Sequence, residues 1–355
     1  MFNVLKFNNI SDIEAYRNIV ANNNFNSAYL SFQYFEVFSG GIEDLMCFVY
    51  AKDDRIILLP GYKKHIKIYN NLLELFDFFT PYGYTGAFYS ENVSEEELED
   101  FWNKVDDWYL KNNVISEFVR FSLFNNYKKY TGHLQKTMLN VKGRILAQND
   151  QWEGFEQKVR KNVKRAQREN LTSKIYYKNI DKEIIAEFHD IYIKTMKRTN
   201  AKDSFFYSLE SFEYFVFNNA KLCLICTIYD DLKPISTELL LISNQSIFSF
   251  LGGTIEESFD KRPNDYLKFE VINWARENNF ENYILGGGYG YEDGIFKYKK
   301  AFFPNDVVEY ITGRKILNKE LYSNLVNDVN IIREKKNLEF LELNDDSYFP
   351  LYNKQ

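Results

Sequence analysis

One order of local patterns occurs in both halves of this chain, and it constrains the fold more than any other feature. Each half reads as helix, helix, strands, helix, strand. No residue-level repeat accompanies it. The recurrence implies two α/β modules of related fold, with mixed sheets. In the first half, Ile13, Tyr16, Ile19 and Val20 follow Ser11 at helical spacing. Met46–Tyr50 and Arg55–Leu59 read as strands joined by the polar turn Lys52-Asp53-Asp54. Ser94 and Glu97 form a capping box ahead of Leu98, Phe101, Trp102, Val105, Trp108 and Tyr109, which share a helical face. Val119–Leu123 reads as a further strand. Polar residues interrupt the apolar pattern near Val141–Gln151 and mark a boundary. Beyond it, helices are expected from Trp152 to about Asn170 and from Lys182 to Arg198. Strands are expected at Leu222–Tyr229, Glu238–Ile242 and Ser246–Leu251. A helix from Pro263 to Asn278 then leads to strand Tyr283–Leu285.

Length agrees with two domains, since 355 residues exceed the usual size of one. Lys and Arg number 44 against 50 Asp and Glu, a formal charge of −6, which excludes a general nucleic-acid coat. Three cysteines cannot build a disulfide framework. Cys223 and Cys226 form C-x-x-C inside an apolar run without a turn, the pattern of two small buried side chains. The first residues lack a charged stretch followed by an apolar one, and no run reaches about 18 apolar residues. A reduced cytoplasmic protein without a membrane span is expected.

Three stretches carry possible chemistry. Lys158–Arg168 holds six basic residues and no acid. Trp152, Phe155, Val159, Val163 and Ala166 recur at helical spacing and face a core. Lys161, Lys164, Arg165 and Arg168 fall on another face. That face is either solvated or a local positive field for a phosphate-bearing substrate. In the second stretch, Gly286-Gly287-Gly288 follows a strand and precedes Phe296-Lys297-Tyr298-Lys299-Lys300-Ala301-Phe302. Glycines there either make a turn or let a ligand approach the backbone. The spacing is neither G-x-x-x-x-G-K-[ST] nor G-x-G-x-x-G, so nucleoside-triphosphatase and dinucleotide loops gain no support. The third stretch, Thr80–Gly86, presents Tyr82 and Tyr84 on a Pro- and Gly-bounded loop. His65, His133 and His189 lack metal-ligand spacing, and no metal is expected. No G-x-S-x-G elbow is present.

Together these motifs resemble the FemABX-like family of double-GNAT acyltransferases and aminoacyltransferases. Arg160–Ala166 is similar to the family's R-x-N-[IV]-[RK]-[RK]-A helix. Pro81–Gly86 is similar to its P-Y-G-Y-x-G run, and Gly286–Phe302 to its closing G-G…F-K-x-G-F signature. Pro263-Asn264, before a helix ending in Trp274-Ala275, fits the same order, and the likeness spans roughly residues 75–305. The resemblance implies two tandem GNAT-like domains: residues 1–145 completed by 318–355, and residues 146–317 with the acceptor and donor site.

It also implies transfer of an acyl group from acyl-CoA to the amine of a nucleotide-linked amino sugar, as in capsule or O-antigen assembly. Lys299 matches the family's functional lysine, and Arg198 in Thr195–Arg198 matches a phosphate-binding T-x-x-R. Arg160, Lys164 and Arg165, with Tyr82, Tyr84 and Asn264, are the other substrate-binding candidates. Gly287, Gly288, Lys261 and Arg262 are the candidates for the CoA site. For accepting the amine proton the candidates are Glu238, beside a predicted central strand, then Asp203, while Tyr207 and Tyr298 are proton-handling or ring-stacking candidates. The R/Q-x-x-G-x-G pyrophosphate loop of ordinary GNAT enzymes is absent. Lys261–Asp265 stands at the comparable helix start. The long helical arm of classical peptidoglycan aminoacyltransferases is absent too. The alternatives are aminoacyl-tRNA-dependent addition to a peptidoglycan precursor, with tRNA as partner, and a non-catalytic ligand-binding double-GNAT protein. DNA is not expected as a partner.

Overall fold

The computed structural model describes residues 1–23, 25–67 and 74–354; residues 24, 68–73 and 355 of the expected first module lie outside them. Internal packing divides the chain into two compact units. The first comprises Met1–Asn24, Phe38–Thr137 and Tyr310–Gln355, the second Phe25–Val37 and Met138–Glu309. The segment 25–37, counted with the first module on sequence, therefore packs in the second unit. The changeovers fall at 137/138 and 309/310, whereas the sequence places them at 145/146 and 317/318.

In the first unit the strand order is β1 (Phe2–Lys6), β2 (Leu45–Lys52), β3 (Arg55–His65), β4 (Phe76–Phe79), β6 (Val114–Arg120) and β13 (Val307–Ile316), with β5 (Phe88–Tyr89) beside β3. Helices α1 (Ile10–Asn22), α3 (Glu95–Lys111) and α10 (Lys319–Lys335) accompany them. All neighbours are antiparallel except β4 and β6, which run parallel. Helix α3 joins that parallel pair. Its Ser94–Glu97 capping box forms as expected, and three glutamates in its first turn complement the helix dipole. Leu98, Phe101, Trp102, Val105 and Tyr109 bury one face of it against Phe48 and Phe78.

The second unit repeats the scheme. Its elements are α2 (Phe32–Phe38), β7 (His133–Arg144), α4 (Gln148–Gly154), α5 (Gln157–Arg168), β8 (Thr172–Tyr177), α6 (Lys182–Arg198) and α7 (Leu209–Asn218). They continue with β9 (Cys223–Asp230), β10 (Lys233–Ser243), β11 (Ser246–Thr254), α8 (Pro263–Glu277), β12 (Asn282–Gly286) and α9 (Gly294–Lys300). Strand order β8-β9-β10-β11-β12-β7 is again antiparallel save for one parallel pair, β11 with β12, and a helix, α8, joins that pair. Helix α5 is amphipathic in the expected sense: Val159, Val163 and Ala166 are buried against α8 residues such as Leu267 and Val271. Fully burying each such Val or Leu side chain stabilises the unit by about 1.5–3 kcal/mol, and the Ala166 methyl by less.

Several local expectations shift. The single helix from Trp152 is two helices, because Phe155 and Glu156 are extended. Gly154 precedes this break, and the Arg160 guanidinium donates to the carbonyls of Trp152, Glu153 and Phe155 at the end of α4. The strand expected at Val119–Leu123 is β6, Val114–Arg120. Strand β7 runs into the stretch read as a boundary. Cys223 and Cys226 are free and buried, as expected of packing residues, and burial pushes the Cys223 thiol up to about 12; Cys47 is free and buried too. Among the described residues, no helix is long and apolar enough to cross a membrane.

The C-terminal segment is latched to the first unit through Asp77 of β4. That buried carboxylate accepts from Ser116 at 2.7 Å, from the Tyr352 hydroxyl, and from Asn353 at 3.1 Å. Tyr352→Phe is expected to cost about 1–3 kcal/mol by leaving one buried acceptor position unfilled. Urea unfolding monitored by tryptophan fluorescence checks this, and an unchanged midpoint would reject the latch.

Candidate active site

The site arises where two strands part. β11 and β12 pair in parallel only over Ser246–Phe248 and Asn282–Ile284, yet β11 continues to Thr254. A one-residue slip in the β10–β11 register makes Phe250 the extra residue of a bulge. An open cleft of about 550 Å³ occupies the resulting gap. Its β-strand wall is Ser249, Phe250 and Gly252–Thr254 from β11, with Thr237 and Glu238 from β10. The start of α8 and the helix α9 close the other side.

Gly253 lets α6 approach. A Cβ there would stand 2.4 Å from Thr195 Oγ1 and 2.8 Å from the Ile191 carbonyl. Thr195 Oγ1 accepts from the Thr254 amide at 3.2 Å, which docks the end of α6 on β11. Arg198 lies one turn later and lines the cleft, its guanidinium 4.9 Å from the Phe259 ring centroid.

A buried polar network forms the floor. Lys268 Nζ and Ser249 Oγ both donate to Glu238 Oε1, and the Tyr283 hydroxyl donates to Oε2 at 2.8 Å. Lys268 also lies 3.2 Å from both Ser249 Oγ and Tyr283 Oη. Both charges of the Glu238–Lys268 pair are nearly inaccessible, with 6% and 7% of their side chains exposed. Beside this network stands Lys299, which donates to the Gly287 carbonyl at 2.6 Å. Burial, reinforced by the Lys268 charge, pulls its ammonium down to about 8. The buried Tyr298 hydroxyl has no hydrogen-bond partner, and burial pushes its titration well above the ordinary range.

The mouth is cationic. Arg262 adopts a left-handed conformation (φ 61°) that turns the chain into α8, with Pro263 in the first helical position. No side chain caps this helix start. Asn264 and Asp265 line the cleft here, and Asn162 Nδ2 donates to Asp265 Oδ1 at 3.0 Å. Burial raises the Asp265 carboxyl against the pull of Asn162 and Arg262. Pro263 has no N–H and the Asp265 carboxylate takes its own amide, so the Asn264 amide, beside Arg262, is the donor left for a bound phosphate.

The cleft thus gathers Arg198, Glu238, Arg262, Asn264, Tyr298 and Lys299. Other sequence candidates sit elsewhere. Arg160 is spent on the end of α4, and Lys164 and Arg165 line a separate groove along α5. Lys261 pairs with Asp230, and Asp203 and Tyr207 lie outside the cleft lining. Gly287 and Gly288 do not line it either. A Cβ on Gly288 would meet the Asp293 carboxylate at 1.9 Å, and Asp293 accepts from the amides of Tyr289, Gly290 and Phe296. The glycine run is therefore a turn wrapped around a helix cap, and its amides at 289 and 290 are engaged. Tyr82 and Tyr84 belong to the first unit. Lys268, Ser249 and Tyr283 escaped the sequence reading. Lys268 did leave a signal, as a lysine on the apolar stripe of α8 three residues after Asp265 and four before Ile272. Among the described residues, no group of three His, Cys, Asp or Glu could hold a metal ion.

Lys268→Met would strand the Glu238 charge in the floor. A loss of about 3–5 kcal/mol is expected, with most of it regained in the Glu238→Gln/Lys268→Met double variant. Denaturant melts of the single and double variants measure this; a double variant no more stable than the single one would refute the coupling.

Residues 157–300, most of the second unit, match the family model for the acetyltransferase (GNAT) domain. None of the curated proteins matches the sequence. Among solved structures, FemX is similar at a TM-score of 0.61 and 12% identity, over 89% of this chain and 98% of that one. The C-terminal domain of a candidate lysylphosphatidylglycerol synthetase from Agrobacterium fabrum is similar at 0.58 and 12% identity, over 91% and 96%. L-PGS from Bacillus licheniformis is similar at 0.56 and 12% identity, over 88% and 94%. At these identities the likeness is one of fold, and it extends over both units. With an acetyltransferase (GNAT) domain in its second unit and the same strand scheme in its first, the chain is an acyltransferase with a tandem GNAT-like fold.

Proposed function

We infer that this acyltransferase moves an acyl group from acyl-CoA to the primary amine of a nucleotide-linked amino sugar. The observation that carries the reading is the polarity of the cleft. Its mouth holds two arginines and an uncapped helix start, and its floor holds Lys299, Tyr298 and the Glu238 network. Anionic ends of two substrates suit the mouth, and a carbonyl and an amine suit the floor.

In this mechanism the amine lone pair attacks the thioester carbonyl, forming the C–N bond and a tetrahedral oxyanion. Collapse breaks the C–S bond and expels the CoA thiolate. A thioester is already activated, so holding the reactants in line about 3–3.5 Å apart supplies much of the rate. The Lys299 ammonium, partly buried beside the floor network, stands ready for the oxyanion, and that burial strengthens its charge. Glu238 takes the amine proton, directly or through water, while Lys268 and Tyr283 fix its carboxylate. The unpartnered Tyr298 hydroxyl donates to the departing sulfur. The net proton passes from nitrogen to sulfur. Arg198 pairs with the acceptor diphosphate, and Arg262 with the start of α8 takes the CoA diphosphate.

The FemX likeness favours one other reading, transfer of an amino acid from aminoacyl-tRNA to a peptidoglycan precursor. Incubation with radiolabelled acetyl-CoA or charged tRNA, each with a panel of amino-sugar nucleotides and peptidoglycan precursors, separates the two. Thiol release that depends on an amino-sugar nucleotide is expected. Strict tRNA dependence would replace the reading.

A cationic Lys299 fixes the sign of the pH dependence. The group is charged below about 8 and loses its charge above it, so kcat/KM falls through that value as pH rises. Lys299→Arg keeps its charge and moves the falling limb above pH 10, while Lys299→Met lowers the plateau about 100-fold or more. Steady-state rates from pH 6 to 10 test this; a rise through pH 8 in the parent protein would make Lys299 a base instead.

A further inference from the structure

Beyond the cleft mouth runs a second cavity of about 740 Å³, lined by α5 and by Arg262. Arg262 is common to both cavities, so the groove and the cleft adjoin at its side chain. The Asn162–Asp265 hydrogen bond ties α5 to the first turn of α8 at this junction.

The charges along the groove are unevenly neutralised. Lys158 pairs with Glu156, and Arg165 with Asp260 and Glu169. Arg160 is taken up by carbonyls. Among the described residues, Lys161, Lys164 and Arg168 have no carboxylate within ion-pair distance, and all three line the groove. Their spacing of three and four residues puts them on one face, where like charges repel. A multiply charged anion would relieve that repulsion.

We propose that this groove binds the 3′-phosphate of the acyl donor's CoA. The proposal rests on the acyl-CoA reading and deepens it. CoA carries two separated anionic centres, a diphosphate and a phosphomonoester on the ribose. The first fits Arg262 and the start of α8, and the second falls beyond Arg262 against Lys161, Lys164 and Arg168. A nucleotide sugar carries only the diphosphate and has nothing to place in the groove. The α5 cations therefore select the donor and leave the acceptor untouched.

Calorimetric titration of the full chain with CoA and with 3′-dephospho-CoA at fixed ionic strength tests this. CoA is expected to bind about tenfold or more tightly than dephospho-CoA. In Lys164→Ala/Arg168→Ala, whose positions are exposed, the difference is expected to shrink below about twofold, with dephospho-CoA affinity unchanged. Equal binding of the two ligands by the parent protein would overturn the proposal and leave the acyl-CoA reading standing. Binding of neither would remove both. A double variant that keeps the full preference for CoA, or that loses affinity for a short RNA or an amino-sugar nucleotide instead, would also overturn it.

Discussion

The second unit depends on a sheet that stops pairing before its strands end. Parallel strands normally bury continuous hydrogen-bonded ladders under helices. Here the ladder between β11 and β12 ends at Phe248 and Ile284, and polar groups beyond that point need other partners. Thr195 supplies one to Thr254, and the Phe250 bulge re-aims the strand. In the first unit, pairing with β6 covers β4 over its full length, Phe76–Phe79. The same topology thus yields an open seam in one unit and a fully paired one in the other.

An open seam exposes the ends of side chains that would otherwise be core, and the chain uses this for charge. Glu238 and Lys268 are tolerable in the floor because each satisfies the other, with Ser249 and Tyr283 as further donors to the carboxylate. A buried pair of this kind adds little net stability over apolar residues of like volume, and its value lies in specifying geometry. Lys299 sits one layer nearer solvent and takes a backbone carbonyl in place of a carboxylate, so its charge is held less firmly.

Much of this was legible from residues alone. Helix α6 begins and ends where its spacing predicts, and the Ser94 capping box fixes the start of α3. What failed, failed for tertiary reasons. β6 breaks the expected alternation because Ser116 and Glu117 are buried polar residues, satisfied by Asp77, Tyr109, Tyr130 and Lys315 from other elements and loops. β8 and β13 carry charges that disguise their strand character. Charge density drew attention to α5, but the sequence could not sort its cations. Arg160 holds a helix end and Arg165 meets an aspartate ninety-five residues away, while among the described residues Lys161, Lys164 and Arg168 have no carboxylate partner. At the cleft, the motif residues Arg198 and Lys299 were visible by resemblance. Lys268 was visible only as a charge out of place on an apolar stripe, which becomes meaningful once Glu238 is seen opposite it.

The return of the chain to its starting unit has a consequence for synthesis. Residues 138–309 leave the ribosome before 310–355, so every strand of the seam exists in the nascent chain while the first sheet still lacks β13 and α10. Until they arrive, Ile66, Leu75 and Ile115 have no cover from Tyr322, Leu325 and Leu351. The earliest-made half of the protein is therefore the last to mature, and during that interval its uncovered apolar face is where a chaperone would bind.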